Sequence, residues 1–72
     1  MVEVFKTNIE QKKVAEQIIQ KLLEYFPEGK INFDLDDCDK ILRVQGENIC
    51  IEKIIQIINS CGFNCEILDW LA

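Results

Sequence analysis

Seventy-two residues suffice for one hydrophobic core and no second, and 49% apolar with 29% charged residues is the balance of a folded domain, not a disordered tail. A net charge of −5 with eight scattered basic residues argues against nucleic acid, and no apolar run reaches the roughly 18 residues that span a membrane. The absence of histidine removes His-bearing zinc sites, Ser-His-Asp and Cys-His nucleophiles and the commonest general base, so no enzyme is expected.

Val2 to Thr7, rich in β-branched and aromatic residues, predicts a first strand. Phe5, Thr7 and Ile9 share one side of it; Val2, Val4 and Lys6 share the other. No basic stretch followed by an apolar one opens the chain, which points to the cytoplasm.

Gln11 to Phe26 predicts a helix. At 100° per residue, Val14, Ala15, Ile18, Ile19, Leu22, Leu23, Tyr25 and Phe26 fill about half the circumference. Lys13, Glu16, Gln17, Gln20, Lys21 and Glu24 fill the remainder. Pro27 lacks an N–H and Gly29 accepts a left-handed turn, so the helix is expected to end there.

Ile31, Phe33 and Leu35 alternate with Asn32 and Asp34, a strand with one buried face. Asp36-Asp37-Cys38-Asp39 reads as a turn, and Ile41 to Gln45 as a strand that Gly46 ends, which together make a hairpin. A second helix starts at Asn48 or Cys50 and runs to Cys61, with Ile51, Ile54, Ile55, Ile57, Ile58 and Cys61 on its apolar arc. Gly62 suits a left-handed cap, and Phe63 to Trp70 predicts a last strand.

Two one-sided helices and four short strands bury their apolar faces by stacking the helices on one side of a sheet. Residues 1–72 are therefore expected to form one α+β domain of ferredoxin-like βαββαβ type, with two helices on one face of a four-stranded antiparallel sheet.

Three stretches, Lys6-Thr7-Asn8-Ile9, Asp39-Lys40-Ile41-Leu42-Arg43-Val44 and the Ile54 to Phe63 helix ending in Gly-Phe, make nearly all of the chain resemble a heavy-metal-associated domain, the fold of copper chaperones. The resemblance implies a metal site on the loop between the first strand and first helix. There a Cys-x-x-Cys pair brackets the helix N-terminus, whose dipole helps hold thiolates for a soft ion such as Cu(I). With Ile9 in place of the family's Met, the two cysteine slots fall on Gln11 and Val14. Neither offers sulfur, and Lys12 and Lys13 add positive charge between them. Soft-metal carriage at this loop is expected to be lost.

In the expected topology Cys38, Cys61 and Cys65 lie near the vacated site and Cys50 at the opposite end of the sheet. Cys61 and Cys65, spanning Gly62-Phe63-Asn64, are the candidates for a displaced thiol pair that binds Cu(I) or Zn(II) weakly, with Cys38 as a third ligand. Burial as small hydrophobes and disulfide formation stand as alternatives for these sulfurs. A calcium loop starting at Asp34 fails, since Asp39 falls where glycine belongs and Gln45 where a bidentate Glu belongs. Trp70 suits either a partner contact or the sheet edge. The functional expectation is a domain related to soft-metal binding and transport proteins, with a degenerate loop. The alternative is a metal-independent protein-protein interaction module that meets its partner on the sheet face bearing Val4 and Ile41.

Overall fold

The computed structural model describes residues 2–68. The elements run in the order β1 (Val2–Thr7), α1 (Lys12–Tyr25), β2 (Lys30–Asp34), β3 (Ile41–Gln45), α2 (Ile51–Ser60) and β4 (Cys65–Ile67). All strand pairs are antiparallel, and the sheet order is β2-β3-β1-β4. This is a small α+β domain with two helices and a four-stranded antiparallel sheet, compatible with a ferredoxin-like fold. No helix among the described residues is long and apolar enough to cross a membrane.

Register explains the core. Phe5 stands opposite Leu42, and Leu42 opposite Phe33, so one parity of the three strands faces the same side. Phe5, Leu42 and Val44 join Ile18 and Leu22 of α1 and Ile54 and Ile58 of α2 in one buried cluster. Phe5, Leu22, Leu42, Ile54 and Ile58 are 0% exposed. Burial of each such side chain contributes about 1.5–3 kcal/mol.

Most of the apolar residues on both helices meet this cluster, while Ile19 and Leu23 are half-buried outside it. Tyr25 is 53% exposed and lies outside it. Its ring instead carries the Lys53 ammonium, 4.5 Å from the centroid, which links the end of α1 to α2.

Boundaries differ from expectation by one residue at each end of α1, where Gln11 and Phe26 serve as caps. Leu35 falls in the turn beyond β2 rather than in the strand. The last strand is shorter than predicted: Phe63 belongs to the preceding loop, packed on the core, and Trp70 lies outside the described residues.

Gly29 does not take a left-handed conformation, contrary to the reading of its sequence position. Its N–H donates to the Phe26 carbonyl at 2.9 Å. Space is the reason for glycine here, since a Cβ would sit 3.2 Å from that carbonyl oxygen and 3.5 Å from that of Gln45.

Gly62 does take it, with φ of 90°. The Phe63 N–H reaches the Ile58 carbonyl at 3.2 Å and the Gly62 N–H the Asn59 carbonyl at 3.0 Å. These two bonds are the 6→1 and 5→2 pair of a Schellman cap, and they set the direction in which the chain leaves α2 for β4.

Candidate functional site

Thr7 is where one end of the molecule is assembled. It closes β1 and is 6% exposed. Its N–H donates to the Asp39 carbonyl at 3.1 Å, and its hydroxyl donates to the Lys40 carbonyl at 2.6 Å while accepting the Ile9 N–H at 3.3 Å. A hydroxyl used once as donor and once as acceptor ties the β2–β3 turn and the β1–α1 loop to one point.

The third loop is attached by the next residue. Asn8 Oδ1 accepts the Asn64 N–H at 2.8 Å, which joins the β1–α1 loop to the α2–β4 loop. Three connections therefore converge at one end of the sheet.

At that end α1 begins. Gln11 is its extended N-cap residue, exposed, and its side chain makes no capping hydrogen bond. Lys12 and Lys13 are exposed in the first turn, which contains no acid. Two cations at the positive end of a helix dipole disfavour a bound cation further. Val14 is half-buried and packed on the core. The helix start thus presents an amide, two ammonium groups and an isopropyl group.

The cysteines are placed differently from one another. Cys65 pairs with Thr7 across the β1–β4 ladder and is 7% exposed. Burial, and secondarily the Glu66 carboxylate, push its thiol from 9.0 up to about 12. A thiol held protonated is a poor nucleophile and a poor metal ligand. Cys61 is half-buried at the C-cap of α2, and Lys21 Nζ lies 3.8 Å from its Sγ.

Cys38 is exposed in the β2–β3 turn. Its sulfur and one carboxylate oxygen each of Asp37 and Asp39 lie within 4.8 Å of one another, a group that includes neither Cys61 nor Cys65. The turn itself uses both acids. Asp37 Oδ1 accepts the Asp39 N–H at 2.9 Å, and Asp39 Oδ1 lies 3.8 Å from Lys6 Nζ. Cys50 is the exposed N-cap residue of α2, which places it across the molecule.

Sequence reasoning gave Thr7 and Asn8 no tethering role and Lys21 no contact with a cysteine. The signal for the first two was present, because a Thr-Asn pair at a strand exit is a pair of short side chains that bond to nearby backbone. Lys21 carried none, since it lies on the polar face of α1.

The sheet face expected to meet a partner is also altered. Ile41 is 4% exposed although its register partners are Lys6 and Asp34, on the parity opposite the main cluster. Val4 on that face is half-buried, and Val2 is 53% exposed. No protein-family model, curated protein or solved structure matches this chain.

Proposed function

We propose that this chain is a heavy-metal-associated-like domain of ferredoxin-like βαββαβ topology, both helices on one face of the sheet, whose metal loop is degenerate. It works through its surface as a metal-independent protein-interaction module. One observation carries this reading. The helix start that would bracket a soft ion with two thiolates offers Gln11 and Val14. The sulfur aligned with that end by strand register, Cys65, is buried and protonated.

Restoring the pair tests it. Gln11→Cys with Val14→Cys should confer stoichiometric Cu(I) binding on the reduced protein, because the three-loop scaffold around the helix start is intact. A doubly substituted protein that folds yet gains no Cu(I) affinity would refute the placement of the loop.

A second reading keeps a weak Cu(I) or Zn(II) role on displaced thiols. It is favoured by Cys61, half-exposed on the loop that the Asn8–Asn64 bond ties to the vacated site. On that reading Cys61→Ser and Cys65→Ser each abolish uptake, whereas Cys50→Ser leaves it unchanged. Equal losses from all three would mark nonspecific thiol binding.

A further inference from the structure

β2 is an edge strand, five residues long, whose outer side pairs with nothing among the described residues. The opposite edge, β4, has only three residues. Edge strands offer a row of free N–H and C=O groups to any chain that can lie alongside.

The order of side chains on β2 selects the chain that fits. Lys30, Asn32 and Asp34 share one parity, and Ile31 and Phe33 share the other. An antiparallel copy of the same strand, related by a two-fold axis through Asn32, brings Lys30 opposite Asp34 twice and Ile31 opposite Phe33 twice. Asn32 meets its own equivalent.

Every residue of the strand finds a partner in this register, and each charge meets its opposite. A parallel, in-register copy would instead set Lys30 on Lys30 and Asp34 on Asp34. Sliding the antiparallel register by two residues toward Gly29 leaves Asp34 without a basic partner. Ile31 and Phe33 are only half-buried by their own core, so apolar surface remains at this edge.

We propose that β2 is a self-complementary edge through which two copies of this chain pair antiparallel about Asn32, joining their sheets into one eight-stranded sheet. The contact depends on β2 alone and stands independently of the metal-loop reading. A single strand pair buries less than a permanent interface does, so the dimer is weak and reversible. On the same face Asp34 lies 3.8 Å from Arg43 within its own chain, and its side chain is still 41% exposed.

Sedimentation equilibrium of charge variants tests the register. Lys30→Asp and Asp34→Lys each turn two attractive cross-strand pairs into repulsive ones and should weaken the dimer about tenfold or more. The double swap Lys30→Asp/Asp34→Lys should restore it. So should mixing the two single variants, since one then presents two acids to the other's two bases.

Global charge predicts a different pattern. From the natural −5, Lys30→Asp moves the chain to −7 and Asp34→Lys to −3, so bulk repulsion alone would make the second variant associate more tightly than wild type. Circular dichroism confirms that each variant is folded before it is compared. Weakening in both single variants, with recovery in the double swap and in the mixture, supports the proposal. A wild-type protein that stays monomeric to about 1 mM (a free energy near −4.1 kcal/mol), a dimer indifferent to the single reversals, or no recovery on mixing would overturn it.

Discussion

Cys65 faces Thr7 across the β1–β4 ladder, and both are buried at the point where three loops meet. The thiol opposite the end of β1 is thus built into the interior of this end of the sheet rather than offered to solvent. Its hydroxyl neighbour holds that end together, which makes the pair a joint test of what this part of the molecule is for.

Thr7→Val keeps the shape of the side chain and removes the hydroxyl that bonds the Lys40 carbonyl and the Ile9 N–H. Leaving these buried groups unpaired should cost about 1–3 kcal/mol. Thr7→Ser retains the hydroxyl and should recover most of the loss. Urea denaturation of the two variants against wild type measures the difference, and equal destabilisation would show that the hydroxyl bonds are unimportant.

The Cys65 thiol titrates near 9.0 when exposed and near 12 in the fold. A proton is therefore bound more tightly in the native state, so this group's stabilising contribution is complete below pH 9 and is lost as pH rises toward 12. Urea midpoints measured from pH 8 upward should fall more steeply for wild type than for Cys65→Ala. Subtracting one curve from the other removes whatever is common to the two proteins and leaves the contribution of Cys65. Parallel curves would contradict the assignment.

Leu42 is opposite Phe5 on one side and Phe33 on the other, and is 0% exposed. Leu42→Ala should cost about 2–5 kcal/mol, a large share of the stability of so small a domain. The expected outcome is a strongly lowered urea midpoint or loss of the cooperative transition. A shift below about 1 kcal/mol would show that this layer of the core is not tightly packed.

Gly62 has a φ of 90° and open space where a Cβ would go. The cost of Gly62→Ala is thus backbone conformation alone, about 1–2 kcal/mol, and Gly62→Asn should cost less. Thermal melts distinguish the two. An alanine variant as stable as wild type would contradict the left-handed cap.

The elements were legible because their periods are clean. Ile18 and Leu22, and Ile54 and Ile58, repeat at helical spacing and all four are buried as expected. Gly62 was legible for the same kind of reason, since it follows the last periodic residue of its helix. Tyr25 was not, because a ring at the last turn can leave the apolar arc when a cation such as Lys53 covers it.

Left-handed backbone at Lys40, with φ of 48°, and Asn48, with φ of 57°, carried no glycine to announce it. Lys40 follows the Asp37 turn, whose carbonyl accepts its N–H at 3.0 Å, so the tight hairpin connection sets its conformation. Around the candidate site, the absence of sulfur at Gln11 and Val14 was readable from residue types alone. The exposure of each cysteine was not, because it depends on which strand partner or side chain lies alongside: Thr7 for Cys65 and Lys21 for Cys61.

The central claim concerns one short stretch of backbone, and nuclear magnetic resonance reads it directly. Reduced wild-type protein, labelled with nitrogen-15 and titrated with Cu(I), should show no stoichiometric change in the amide signals from Gln11 to Ala15. A one-to-one complex whose largest shifts fall on those residues would contradict the account.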